Sequence, residues 1–310
     1  MKIAYLIIAH TDELKLRRLV YSLTTADTGF FVHVDKKVNI TPFKNSCKDF
    51  DNVFFIEENR IGVNWGGYSM CLAEKELIRM ALQSDVNYDR FVLLSGLDYP
   101  LYSNQQIANE LRIHPQREYM KGYNLTLIKQ PIKIPHRVMV YHFRDLSLHN
   151  DTLNRIVISI LMWLMTLLPI KKKNFICCNG KRLDVYGGSQ WWILTRRCVE
   201  YIYKEMDTNT TLCHYFETSM APDELMMQTI VFNSPFKHFA QCFEQNGIYP
   251  GLEKTTTTHY IEYAGAQKVF DENDFDTLMN SGKMFCRKTL TGISDRLMDL
   301  IDKVRGVYWV

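Results

Sequence analysis

Apolar and polar positions follow two rhythms in the first hundred residues. Apolar runs cover Ile3 to Ala9, Phe30 to Val34, Val53 to Ile56 and Phe91 to Leu94, the second interrupted by His33. Each run ends in turn-forming residues and reads as a buried strand. Between the first two runs, Leu16, Leu19, Val20 and Leu23 recur at helical spacing. Between the third and fourth, Met70 to Leu82 sets Ala73, Leu77, Met80 and Ala81 on one helical face. Ser103, with Gln106 three residues on, forms a capping box that opens a helix to Ile113. Strands alternating with helices require crossover connections, so this half predicts a mostly parallel, Rossmann-like α/β layer.

The second half is less regular. Lys121 to Asp145 interleaves basic and aromatic residues. Gly188 to Leu194 reads as a strand, Arg196 to Glu205 as a helix, and Ala221-Pro222-Asp223-Glu224 as the entry to a helix over Leu225 to Phe232. Acids in a first helical turn suit the macrodipole, so capping alone would explain Asp223 and Glu224. Ser294 to Val304 is a short amphipathic helix. Ile156 to Leu168 is apolar except for Ser159 and Thr166, yet shorter than the about 20 residues of a transmembrane helix. Its apolar residues go nearly all round the helix, which suits a core helix and a membrane-surface helix equally. Arg155 before it and Lys171 to Lys173 after it carry the charge that anionic lipid attracts.

Composition narrows the class. The 310 residues are 46% hydrophobic and 23% charged, enough for a full core in one large domain or two small ones. A net charge of +3 argues against a dedicated nucleic-acid binder. None of the 8 cysteines forms a CxxC or a zinc spacing, which predicts buried free thiols in a reducing compartment. The first ten residues read as a strand and not a signal peptide, because His10, Asp12 and Glu13 follow where a small-residue cleavage site belongs.

Ligands of parallel sheets bind beyond the carboxyl ends of the strands. Three such ends here carry His10-Thr11-Asp12, His33-Val34-Asp35-Lys36-Lys37 and Ser95-Gly96-Leu97-Asp98-Tyr99-Pro100. Strand ends are polar in any protein, but three on one edge point to a site. Neither GxGxxG nor GxxxxGK[ST] occurs, which removes the usual phosphate cradle and counts against a nicotinamide oxidoreductase.

Six segments in order resemble the core-2/I-branching glycosyltransferases, the family of β-1,6-N-acetylglucosaminyltransferases and peptide O-xylosyltransferases. They are Val32 to Lys37, Trp65 to Ser69, Leu93 to Leu101, Gly188 to Trp192, Pro222 to Glu224 and Phe285 to Lys288. The resemblance implies a GT-A fold with a mixed sheet flanked by helices. It fits a single domain over 1–310, with a nucleotide-binding half to residue 115 and an acceptor and catalytic half after it. It further implies an inverting transferase that moves a sugar, GlcNAc by family frequency, from a UDP-sugar to a glycan or glycolipid acceptor. No metal or other cofactor is expected, and the chain reads as a cytoplasmic bacterial member, peripheral to the inner face of the plasma membrane.

The residue roles follow the motifs. Glu224 maps to the general base. Asp35 maps to the acid that contacts the nucleoside base, and His10, Ser95 and Asp98 fall at the donor edge. Arg287 and Lys288 map to the basic motif that takes the diphosphate, with Lys288 favoured. Arg137 and Tyr141 fall in the acceptor region, and Trp191 or Trp192 could pack on a sugar face or in the core. Physical chemistry asks for the same parts: a base for the acceptor hydroxyl and positive charge for the departing diphosphate. Asp98 is a single carboxylate, which holds Mg²⁺ or Mn²⁺ poorly. Asp49-Phe50-Asp51 and Asp274-Phe275-Asp276 read as solvated turns or caps. His259 stands where many relatives carry a diphosphate-binding arginine, so Arg287, Lys288 or Lys254 would bear more of that charge. A non-catalytic sugar-nucleotide-binding or membrane-docking relative is the alternative reading.

Overall fold

A computed structural model describes residues 1–128, 138–146, 151–168, 170–178, 180–243 and 250–308. The first half runs β1 (Ile3–Ala9), α1 (Glu13–Leu23), β2 (Thr28–Val34), α2 (Thr41–Ser46), β3 (Val53–Phe55), α3 (Ser69–Leu82), β4 (Arg90–Ser95), β5 (Asp98–Pro100) and α4 (Asn104–Ile113). Then come β6 (Lys121–Asn124), α5 (Asp151–Leu167), β7 (Phe175–Cys178), β8 (Lys181–Asp184), β9 (Tyr186–Gly188), β10 (Ile193–Thr195), α6 (Arg196–Thr208) and α7 (Thr210–Glu217). A 3-10 turn (Pro222–Glu224) leads into α8 (Met226–Phe232), β11 (Gln241–Cys242), α9 (Leu252–Thr255) and β12 (His259–Ile261). The chain closes with β13 (Tyr263–Ala264), β14 (Ala266–Gln267), α10 (Phe275–Met279), β15 (Phe285–Arg287) and α11 (Asp295–Arg305).

The main sheet has the order β10-β4-β1-β2-β3. β1, β2, β3 and β4 pair in parallel, and β10 adds an antiparallel edge. This is the Rossmann-like mixed α/β layer that the sequence predicts. Every residue of β1 is buried, as a strand covered on both faces requires. α1 seats Leu16, Leu19, Val20 and Leu23 in the core, and Ser103 and Gln106 form the reciprocal capping box at α4. The two halves of the chain interleave: β10 completes the first sheet, and β5 pairs with β15.

Some elements differ from the sequence reading. The face that α3 buries includes Cys71, Glu74 and Ile78, while Met80 is only partly covered. Gly188 to Leu194 is not one strand. β9 and β10 lie in different sheets, and the chain turns between them at Ser189. A side chain at Gly188 would bring its Cβ within 2.3 Å of the Lys121 carbonyl oxygen, so only glycine allows β9 to approach β6 there. All eight cysteines are free thiols, but Cys177 and Cys242 are exposed where burial was expected. The two Asp-x-Asp segments are a surface turn and a cap: Asp49 pairs with Arg17, and Asp274 pairs with Lys268 at a 3-10 start.

α5 also departs from one of its two readings. None of its described side chains belongs to a hydrophobic core, so it is not a core helix. No helix among the described residues is long and apolar enough to cross a membrane. Of the three lysines after it, Lys171 and Lys173 are exposed, whereas Lys172 is buried. Its Nζ donates to the Tyr215 carbonyl, to Thr218 Oγ1 at 3.2 Å and to Ser219 Oγ at 2.8 Å. Burial pushes its pKa down to about 7, and the Tyr215 ring lies 4.2 Å beneath the ammonium. Lys172 is a tether, not a lipid-facing cation.

Candidate active site

The carboxyl ends of β1, β2 and β4 are level in the sheet, with Ala9 opposite Val34 and Ile8 opposite Ser95. His10 and Asp35 therefore stand side by side. A second, three-stranded sheet, β12-β15-β5, adjoins this edge. In it Arg287 lies directly across from Asp98. The pairing brings a basic segment from the end of the chain to the donor edge.

Asp98 is fully buried. Its Oδ2 accepts from the Ser95 amide at 2.7 Å and lies 3.1 Å from His259 Nε2, while Oδ1 accepts from Arg287 Nη1 at 3.0 Å. Lys15, buried on α1, donates its Nζ to the Asp98 carbonyl at 2.7 Å. Burial alone would raise the Asp98 pKa, but Arg287 and His259 outweigh it and hold the carboxyl below its ordinary range. Both oxygens are thus engaged by protein. Asp98 acts here as the anchor of Arg287 and His259.

His259 does not stand in for the arginine. It is 1% exposed, Nδ1 lies 2.9 Å from Thr258 Oγ1, and the ring stacks on Phe285 at 5.3 Å or less from both Phe285 and Trp191. With both nitrogens engaged inside the protein it has no free edge for a phosphate. Arg287, in contrast, reaches the cleft. Its guanidinium sits 4.8 Å over the Trp191 ring and lines the cleft. Lys288 follows it, half-buried, with its amide donating to the Lys268 carbonyl. His10 feels both charges: partial desolvation, then Arg287, and more weakly Lys288, lower its pKa from 6.5, and Asp35 offsets part of this. Arg287, Lys288, His10 and Asp35 are therefore one electrostatic neighbourhood.

The cleft beside Arg287 has a volume of about 190 Å³. That is below the about 300–1,000 Å³ of pockets that engulf a drug-sized ligand, and it suits one sugar-sized group. Glu224, Trp191, Gln190, Tyr263 and Arg287 are among the residues that line it. Glu224 sits on the 3-10 turn, and Ala221, just before the turn, takes the left-handed conformation at φ 50°. An alanine rarely adopts that conformation. Its amide donates to the Gly66 carbonyl at 2.9 Å, which fixes the turn to the loop carrying Trp65. That loop is held in turn by Asp145, which accepts from Asn64 Nδ2 at 3.0 Å and the Ser69 amide at 2.8 Å. A Cβ at Gly67 would come within 2.4 Å of the Asp145 carboxylate.

Two cleft features were not legible as site residues. Tyr263 lines the cleft with Glu224 and Arg287, and its pKa is raised by desolvation and then by Glu224, with Arg287 opposing. Glu74 is fully buried on α3, and Gln190 donates Nε2 to its Oε1 at 2.9 Å. Burial, reinforced by nearby Asp223, drives its pKa well above the ordinary carboxyl value and so favours the protonated acid. Tyr263 lies in the His259 to Tyr263 segment that resembles the family's Tyr-Ile-Asp-Trp, but that segment assigns it no role, and Glu74, a Glu inside a helix, carries no motif.

The remaining expected residues divide. Ser95 is buried and accepts from the Leu97 amide at 3.2 Å, shaping the turn that presents Asp98. Asp35 is half-exposed, and its carboxylate accepts from the Lys37 and Val63 amides. Trp192 is a correction: its ring is fully buried in the main core and cannot meet an acceptor. Trp191 is also buried, at 7% exposure, and belongs to the same core, but it lines the cleft beneath the Arg287 guanidinium. Tyr141 lies away from the cleft lining, with the Lys172 ammonium 5.7 Å from its ring. Arg137 lies outside the described residues. Among the described residues no group of three or more His, Cys, Asp or Glu is placed to hold a metal ion.

Comparison with known proteins finds similar chains among the xylosyltransferases. Human xylosyltransferase 1 is 24% identical over 318 residues, covering 97% of this chain and 30% of its own length. Rat xylosyltransferase 2 is 25% identical over 327 residues, covering 97% of this chain and 33% of its own. The chain thus spans about a third of the curated relatives it matches. Among solved structures, 4-diphosphocytidyl-2C-methyl-D-erythritol synthase from Anaerococcus prevotii overlaps 80% of this chain and 89% of its own, with a TM-score of 0.39 and 10% identity, too slight to carry an argument. The profile of the Core-2/I-Branching enzyme family matches residues 3–264, and the chain belongs to that family.

Proposed function

We propose that the protein is an inverting glycosyltransferase that uses a UDP-sugar and acts on a glycan or glycolipid acceptor. The observation that carries the reading is the convergence of Glu224 and Arg287 on one cleft, 63 residues apart in the chain. In the proposed reaction the acceptor oxygen attacks the anomeric carbon from the face opposite the diphosphate. Glu224 takes the hydroxyl proton as the new C–O bond forms. The bond from C1 to the diphosphate oxygen breaks, and UDP leaves with that electron pair. Arg287 and Lys288 neutralise its added charge, and Trp191 packs against a sugar face. The donor edge at Asp35 and His10 receives the nucleoside.

The engagement of both Asp98 oxygens by Arg287, Ser95 and His259 supports metal-independent chemistry. GlcNAc is the expected donor sugar from the family; the xylosyltransferase relatives set UDP-xylose beside it as a second reading. The test is a thermal-shift panel of UDP-sugars, then donor hydrolysis without acceptor. A ligand at about 100 times its dissociation constant stabilises by about 2.7 kcal/mol. One UDP-sugar should shift the transition and be slowly hydrolysed, with EDTA having no effect. Binding without any turnover would leave the non-catalytic alternative, and no binding by any UDP-sugar would overturn the reading.

A further inference from the structure

α5 presents an exposed apolar face. Leu153, Ile156, Ile160, Trp163, Leu164 and Leu167 are all exposed, with Ile160 at 50% and Trp163 at 61%. At 100° per residue these six fall within about a third of the helix circumference, so they form one stripe and not scattered contacts. The only charged residues from 151 to 167 are Asp151 and Arg155. A stripe of this size on an otherwise ordinary surface marks a docking face.

The surroundings identify the occupant. Leu168 and Ile170 continue the exposed apolar surface past the helix end. The chain then passes exposed Lys171 and Lys173 and enters the β7-β8 hairpin, whose second strand opens with exposed Lys181 and Arg182. Lys173 and Arg182 converge on one ring: their cationic groups lie 5.5 Å and 4.2 Å from the centre of Phe175. Asp184 pairs with Arg182 at 3.1 Å, and the three lysines add to the positive charge at this end. An apolar stripe with a central tryptophan and a basic end suits a bilayer with anionic headgroups, which attracts about 1 kcal/mol per cation near its surface. A second copy of the chain would set the two basic ends against like charge in any parallel pairing of these helices.

We infer that the α5 stripe and the Lys171, Lys173, Lys181 and Arg182 cluster form a docking face for an anionic lipid bilayer, with the helix lying in the interface and not crossing it. The described segments on either side of α5 are tied to each other and to the stretch that leads into the cleft. The Lys172 amide donates to the Met139 carbonyl at 2.8 Å, and the His142 amide to the Thr218 carbonyl at 2.8 Å. Lys172 grips the 215–219 stretch that leads into Ala221 and Glu224. Arg144 lies over the ring of Trp65 at the cleft wall. Docking therefore brings the cleft near lipid-borne glycans; that consequence rests on the transferase reading, and the docking itself does not.

The experiment is co-sedimentation of the full chain with vesicles of phosphatidylcholine alone or with phosphatidylglycerol, alongside light scattering for self-association and UDP binding on the same protein. Three proteins are compared: wild type, Ile160→Glu with Leu164→Glu, and a quadruple Gln variant of Lys171, Lys173, Lys181 and Arg182. Wild type should bind anionic vesicles at least about ten-fold more strongly than neutral ones. The Glu pair should abolish binding, and the Gln variant should lower it by about two orders of magnitude, both with UDP binding unchanged. No wild-type binding to anionic vesicles overturns the inference, as does a wild-type dimer that the Glu pair dissociates and that ignores vesicles. Vesicle binding without UDP binding would sink the transferase reading and leave the docking face standing.

Discussion

Replacing Asp98 by Asn separates an anchoring carboxylate from a metal-binding one. The wild-type carboxylate accepts three hydrogen bonds, two of them from His259 and Arg287, in a fully buried position. An amide keeps one acceptor and turns an NH₂ group toward another donor. Removing one partner of a buried ion pair costs about 3–5 kcal/mol. The Arg287 side chain is 17% exposed and can turn toward the cleft, so the lower end, about 3 kcal/mol, is expected. Domains hold about 5–15 kcal/mol, so the variant should still fold. Urea unfolding followed by tryptophan fluorescence measures the loss, and UDP titration measures the misplacement of Arg287 as an affinity lower by about ten-fold or more. The pH dependence gives an internal check. The folded pKa lies below 3.8, so the wild-type advantage is present above that value and is lost as pH falls through the folded pKa. The gap between the two proteins should be flat from about pH 5 to 8 and close in stronger acid. Equal stability at neutral pH, or a wild-type activity that EDTA removes and Mn²⁺ restores only when Asp98 is present, would refute the anchoring account.

Glu74→Gln should preserve stability and turnover, because an amide imitates a neutral acid beside Gln190, whereas Glu74→Ala should cost about 1–3 kcal/mol and lower kcat/KM. Equal damage by both variants in thermal unfolding would show an ionised Glu74. The negative charge of a UDP-sugar bound along this edge should raise the depressed His10 pKa, so binding should take up a proton and strengthen as pH falls through the raised, bound-state pKa. Calorimetry in buffers of different ionisation enthalpy checks this, and His10→Ala should flatten the dependence.

The strands were legible because a strand buried on both faces is rich in apolar residues, as β1 is throughout and β2 and β4 are over Phe30 to Val32 and Phe91 to Leu94. The helix faces and the Ser103 capping box were legible for the same local reason. What failed to show was non-local. Asp98 meets His259 and Arg287 across 161 and 189 residues, and nothing near it in sequence states that its oxygens are occupied. Trp191 and Trp192 are identical in type and differ only in which side of the chain faces the cleft. Lys172 looks like its neighbours, yet one rotation of the backbone sends it inward to Ser219. α5 was ambiguous because an apolar helix has the same sequence whether its partner is protein or lipid.

The central claim is that Glu224 takes the proton of the acceptor hydroxyl in a cleft where Arg287 and Lys288 receive the leaving diphosphate. Kinetics of Glu224→Gln, with the donor affinity measured on the same protein, test it most directly. The account predicts a fall in the transfer rate of about 10²–10⁴-fold with donor affinity unchanged. Transfer within a few-fold of wild type would contradict it and place the base elsewhere.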